Sequence, residues 1–263
     1  MGSPDRKKLI QKYYSARAKD YDGQKSRTWK TASGFGDEAL DELLGALKGL
    51  GGRLLLEAGV GSGRNALPIL ERIGPRFVGL DLSREMLERT REKLSPFSKS
   101  CDLVLGDAEY LPFVAESFDA LVCMSTMHYF DHQDKIMKGF SVVIKEKGVF
   151  IYGDLTVHES DDEGFFERLE RTVSKAHAGY CKPSEARKLL ETCGFRVSRV
   201  NTFAYRKLHR SLMEDKGVYF GVPPEALEEC LHSASAKSRK LYGLTDTELT
   251  LYYTVIAANK QSQ

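Results

Sequence analysis

Four short clusters in this chain carry residue types that could hold a ligand or move a proton. The first is Glu57-Ala58-Gly59-Val60-Gly61-Ser62-Gly63, reached through the apolar run Leu54-Leu55-Leu56. Glycines at alternate positions permit a sharp turn and leave no Cβ between the backbone and a bound molecule. A helix that starts just after such a turn presents free N–H groups and the positive end of its dipole. The second is Asp81, which ends the next apolar run, 24 residues after Glu57. The third is Gly106-Asp107-Ala108-Glu109-Tyr110-Leu111-Pro112-Phe113, and the fourth is Ser125-Thr126-Met127-His128 behind the run ending at Met124. His128 is the titratable group placed to accept a proton near neutral pH, since an unperturbed imidazole has a pKa of about 6.5. The glycine spacing discriminates between ligands. A dinucleotide loop wants G-x-G-x-x-G, and Arg64 stands where its last glycine should be.

These clusters need strands to deliver them and helices to cover the strands. Apolar runs at 53–58, 76–81, 101–106, 118–124 and 148–154 alternate with helical periodicity, the pattern of βαβ units and a parallel sheet. Met86, Leu87, Thr90 and Leu94 share one helical face behind Ser83, a good N-cap. Ile136, Met137, Phe140, Val143 and Ile144 form a second face. Ala186, Leu189, Leu190 and Cys193 form a third, opened by Pro183 and closed by Gly194. A strand near 195–203 and the β-prone run 249–257 follow. About 45 residues separate them, long for a hairpin connection, with a Gly-Val-Pro-Pro break at 221–224 and a helical pattern over 225–242.

The string E-x-G-x-G-x-G followed by Gly79-Leu80-Asp81-Leu82-Ser83 resembles class I S-adenosylmethionine (SAM) dependent methyltransferases. The string G-D-A-x-x-L-P-F at 106–113 is similar to the ubiquinone/menaquinone C-methyltransferase-like (type 11) branch. The resemblance implies an α/β fold, a Rossmann-like seven-stranded sheet with helices on both faces, here with a helical cap between the last two strands. It implies SAM as cofactor and S-adenosylhomocysteine as product, with Glu57, Ala58, Gly59, Gly61 and Gly63 under the methionine half. Asp81, with Leu82 beside it, would hold the ribose hydroxyls, Asp107 and Ala108 the adenine, and Met124 would lie beneath the sulfonium. Tyr13-Tyr14-Ser15-Ala16-Arg17-Ala18-Lys19-Asp20-Tyr21-Asp22 resembles the family's leading helix, which would bring Tyr13 and Tyr21 to the cofactor. His128 is the candidate catalytic base, and no metal site is expected.

Composition narrows the remaining choices. At 263 residues, with 41% hydrophobic and 29% charged residues, the chain suits one elaborated α/β domain. The expected division is a helical cover at 1–45, a SAM-binding core at 50–203 and 249–258, and the insert at 204–248, read as a substrate cap. A net charge of +2 gives no push toward nucleic acid. No apolar run of about 20 residues is present, and the five cysteines form no C-x-x-C pair, which points to reduced thiols and the cytoplasm. A small-molecule acceptor is expected, with a protein side chain or RNA as alternatives. From other classes, an NAD(P)-binding oxidoreductase or a non-catalytic SAM-binding module would share much of the pattern. The acceptor, the attacking atom and the oligomeric state are not written in the sequence.

Overall fold

The computed structural model describes residues 3–23 and 36–262, so part of the expected cover at 1–45 lies outside the described residues. Seven strands form one sheet: β1 Leu54–Ala58, β2 Arg76–Asp81, β3 Cys101–Leu105, β4 Phe118–Met124, β5 Ile144–Thr156, β6 Phe195–Leu208 and β7 Glu248–Lys260. Their order is β3-β2-β1-β4-β5-β7-β6. The first five are parallel, and β7 runs antiparallel to both β5 and β6. This is the expected seven-stranded Rossmann-like sheet. A dinucleotide-binding sheet of order 3-2-1-4-5-6 has no such antiparallel strand inserted beside the fifth.

The inner strands are largely apolar because helices cover both faces. Every residue of β4 except Asp119 is buried. Asp119 accepts from the Leu54 N–H at 3.0 Å and from Lys145 at 3.0 Å, a structural role at the start of the strand. One apolar cluster joins Leu55, Phe77, Val122 and Ile151 to helix α2 (Asp37–Ala46) and to α6 (Phe165–Val173). The other joins Leu56, Leu121, Cys123 and Tyr152 to α5 (Gln133–Val143) and α7 (Pro183–Thr192). The helix between β2 and β3, α4 (Arg84–Lys93), is capped as its sequence requires, the Ser83 hydroxyl accepting from the Met86 N–H at 3.2 Å. Helix α3 (Ala66–Arg72) follows the glycine loop, and α1 (Ser3–Arg17) packs against α4.

The insert departs from the sequence expectation in two respects. Strands β6 and β7 pair as far as Leu208 with Glu248, so it spans 209–247 rather than 204–248. Tyr205 to Leu208 continue a strand because alternate side chains find cover: Lys207 is buried while Arg206 is exposed. The helical pattern at 225–242 resolves into two helices, α9 (Pro224–His232) and α10 (Ala236–Leu241), after a short α8 (His209–Leu212) and a π-helical turn at Met213–Gly217. Ser235 starts α10 by accepting from the Ser238 N–H at 3.1 Å. Leu212, Leu227, Leu231 and Tyr242 are buried in the cluster that contains Phe165, Phe166 and Leu169 of α6, which supplies the cover expected for an apolar insert.

Candidate functional site

A cavity of about 200 Å³ lies at the carboxyl ends of β1, β2, β4 and β5, lined also by residues of α1 and the insert. Open α/β sheets bind ligands at this place, where the strand order reverses between β1 and β4. Of the residues singled out in the sequence, Tyr13, Tyr21, Gly59, Gly61, Asp81, Leu82, Asp107, Ala108, Met124 and His128 line it; Glu57, Ala58 and Gly63 do not.

The glycine loop turns away from β1 with Gly59 at φ +82° and Gly61 at φ +56°, a region other residues rarely enter. A Cβ on Gly59 would stand 2.3 Å from Thr126 Oγ1, so Gly59 lets the loop pack against the segment after β4. A Cβ on Gly61 would meet nothing within 4 Å, because its face is open to the cavity. Asp81, at the end of β2, accepts from the Gly61 N–H at 2.7 Å and the Ser83 N–H at 2.9 Å. Burial raises its carboxyl above the usual range, while these N–H donors hold it down.

Glu57 does not line the cavity. It is 0% exposed and sits behind the loop, where Asn65 Nδ2 donates to its Oε1 at 2.9 Å. Asn65 lines the cavity in its place. Burial first, then Asp81, pushes the Glu57 carboxyl up to about 8. A β-strand alternates its side chains between faces, so an acid at the strand end need not reach the crevice beyond it. At Asp107 the carboxylate is already engaged: Oδ1 accepts from the Glu109 N–H at 2.9 Å and Oδ2 from Lys7 Nζ of α1 at 2.7 Å.

The other end of the cavity is polar and aromatic. His128 is 5% exposed, and its Nδ1 lies 2.9 and 3.0 Å from the two Asp154 oxygens, while its backbone N–H donates to the same carboxylate at 3.1 Å. Asp154 therefore holds the Nδ1–H tautomer, and Nε2 has no partner among the described residues. Burial lowers the His128 pKa, opposed by Asp154 and assisted by Lys216. Its ring packs 4.0 Å from Tyr129 and 4.9 Å from Tyr180. The Tyr129 hydroxyl meets that of Tyr14 at 2.6 Å. Ser125, just before, holds φ +52°, an outlier for a residue with a side chain, and its N–H donates to Gly153 O at 2.7 Å.

Sequence reasoning missed most of this end. Asp154 read as plain strand, although an acid near the carboxyl end of a β-strand in such a sheet is a signal. Glu170, Lys207, Asp215 and Lys216 also line the cavity and carried no motif. Lys216 Nζ pairs with Glu170 at 2.7 Å, and Asp215 pairs with Arg17 of α1 at 2.7 Å and Lys207 at 3.8 Å. Tyr13 donates through its hydroxyl to the Asp215 carbonyl at 2.8 Å and stacks on Phe220 at 5.2 Å. The insert thus both lines the cavity and holds α1 over it.

Residues 55–148 match the family described as a methyltransferase domain. With the sheet order and the loop at its switch point, this stretch has the Rossmann-like fold of a methyltransferase domain. The match is to the general domain and does not select the quinone branch. Among curated relatives, the methyltransferase GfsG of Streptomyces halstedii is 24% identical over 156 residues, 59% of this chain and 53% of that one. The phthiotriol/phenolphthiotriol dimycocerosates methyltransferase of Mycobacterium tuberculosis is 33% identical over 109 residues, 40% of this chain and 39% of that one. The chain thus spans about half the length of the first relative and two fifths of the second. Among solved structures, the YcgJ protein of Bacillus subtilis superposes with a TM-score of 0.74 at 20% identity, over 87% of this chain and 100% of that one. The cyclase SpnF gives 0.70 at 15% identity, over 98% and 97%. These likenesses concern the fold. Among the described residues no helix is long and apolar enough to cross a membrane.

Proposed function

We propose that this chain moves a methyl group from SAM to a small-molecule acceptor, with His128 as general base. The observation that carries the reading is that the His128–Asp154 pair lines the same cavity as the glycine loop and Asp81, with His128 Nε2 buried and unpartnered among the described residues. The residues present suit the cofactor. The space over Gly61 is open, a carboxylate stands at the end of β2, and Tyr13 and Tyr21 of the N-terminal segment lie opposite. In this reading Gly59, Gly61 and Asn65 receive the methionine half, with Glu57 supporting Asn65. Ala58 and Gly63 shape the loop from behind. Asp81 and Leu82 take the ribose, Asp107 and Ala108 the adenine, and Met124 the floor near the sulfur. Lys7, which occupies Asp107, would remain as a latch on α1 or give way on binding.

SAM, when bound, supplies a methyl group on a positively charged sulfur, a carbon already activated for displacement. What remains for the protein is alignment, exclusion of water and removal of a proton where the acceptor needs it. The Asp154 carboxylate orients the His128 ring and stabilises it when Nε2 gains a proton. The lowered pKa keeps that nitrogen free at neutral pH. The insert, 209–247, is read as the acceptor cap, and the whole chain as one catalytic unit with its N-terminal cover. The printed names of the mycobacterial relative and of a fatty-acid O-methyltransferase of Mycolicibacterium smegmatis, 29% identical over 104 residues, favour small molecules over protein or RNA. All five cysteines are free, in keeping with the cytoplasm.

The test is to incubate the purified chain with methyl-labelled SAM and a fractionated cell extract. Label is expected in the small-molecule fraction with the parent and to be lost with His128→Asn, while SAM affinity is kept. Label confined to protein or RNA would contradict the acceptor class. No label in any fraction, with SAM still bound, would favour a non-catalytic binding module.

A further inference from the structure

Lys216 is an unusual residue for the base of a cap. It lies in the π-helical turn Met213–Gly217, its side chain is 13% exposed, and it lines the cavity beside His128 and Tyr129, whose titrations both feel its charge. Glu170 Oε2, 2.7 Å away on α6, is its hydrogen-bond partner among the described residues. An ammonium has three N–H donors, so two remain. The charges around this end are set out in a definite way. Lys216 pairs with Glu170, Asp215 with Arg17 and Lys207, and Asp154 with His128. The walls are the rings of Tyr14, Tyr129, Phe130 and Tyr180, with Tyr129 and Tyr180 against His128. Flat aromatic walls favour a flat aromatic guest.

Resting on the methyltransferase reading above, we propose that Lys216 anchors the oxygen of an aryl hydroxyl, so that the acceptor is a phenol methylated on oxygen. The proton passes from the acceptor O–H to His128 Nε2, giving an imidazolium paired with Asp154. The oxygen keeps the bonding pair, and the Lys216 ammonium, still protonated, stabilises the resulting phenolate. The proton stays within the site on His128, so the anion forms with no change in the site's net charge. Lys216 would then be both a specificity determinant and a contact to the reacting atom, and the insert would choose acceptors by charge as well as by shape.

The experiment uses the full chain loaded with S-adenosylhomocysteine and para-nitrophenol as probe, at a pH one unit below the probe's own pKa. Binding is read from the visible absorbance of the phenolate. The parent is expected to bind the probe in its ionised form and to bind the uncharged ether para-nitroanisole roughly tenfold or more weaker. Lys216→Met should lose the phenolate signal and keep its homocysteine-cofactor affinity within about threefold, which also shows that it folds. Glu170→Gln should retain the signal. A purely structural ion pair would instead make the two variants fail alike. Failure of the parent to bind the probe, binding as the neutral phenol, or an unchanged signal in Lys216→Met would each overturn the assignment. Loss of cofactor binding in the parent would instead strike the methyltransferase reading itself.

Discussion

At the β1–β3 end of the cavity the ligand-facing features are made largely by the main chain: the turn at Gly59, the open face of Gly61, and the N–H groups that orient Asp81. At the β5 and insert end they are side chains, His128, Asp154, Glu170 and Lys216, brought from four separate segments. The first end depends on a few glycines and one acid in a short window. The second depends on long-range packing, with Asp215 of the insert meeting Arg17 of the first helix and Lys216 meeting α6. A turn made by backbone tolerates few sequences, whereas a buried charged cluster can be assembled in many ways. In the proposed reading the first end takes the cofactor and the second the acceptor, so the cofactor is legible in the sequence and the acceptor is not.

The largest effect should come from uncoupling the two ends. Asp215 is 3% exposed between Arg17 and Lys207, so Asp215→Ala removes a buried carboxylate shared by two buried cations. A stability loss of about 3–5 kcal/mol is expected, with faster amide exchange in 3–17 than in β1–β5. A loss below about 1 kcal/mol would mean that the insert does not hold α1. This coupling also means that removing the whole insert would disturb the cofactor end, so such a deletion cannot isolate the acceptor site.

His128→Asn acts on the acceptor end alone. Turnover should fall by about 10²–10⁴ with SAM affinity unchanged. Because burial lowers the His128 pKa, the parent's rate should rise with pH along a limb below the ordinary imidazole range and be level through neutrality. An unchanged rate, or a limb lying above that range, would remove the base.

Glu57→Gln is a smaller perturbation at the cofactor end. A carboxyl raised from 4.5 to about 8 favours the folded state when protonated. Its contribution is complete below the unfolded value and is lost as pH rises toward the folded one, at about 1.4 kcal/mol per pH unit between them. Melting curves of the variant should lack that slope; identical slopes in parent and variant would show that Glu57 titrates normally.

Legibility in the sequence followed the same division. The strands were readable because buried parallel strands are continuous apolar runs, and the order of motifs placed Asp81, Asp107 and His128 at strand ends. The reach of β6 and β7 beyond Phe203 and Ala257 was not, because Arg206 and Lys207 look like loop residues until Lys207 is seen to be buried. That Glu57 sits behind the loop was not readable, because a motif gives position along the chain, not the face a side chain takes. Glu170 and Lys216, 46 residues apart, become a pair only through the fold.

The claim that the two ends do separate work is tested most directly by calorimetric titration of SAM into the parent, Asp81→Ala and Lys216→Met. Asp81→Ala should weaken binding by about 2–4 kcal/mol, since a two-oxygen acceptor in a desolvated site is lost. Lys216→Met should stay within about threefold of the parent. Equal affinity for parent and Asp81→Ala, or a loss shared by both variants, would contradict the account.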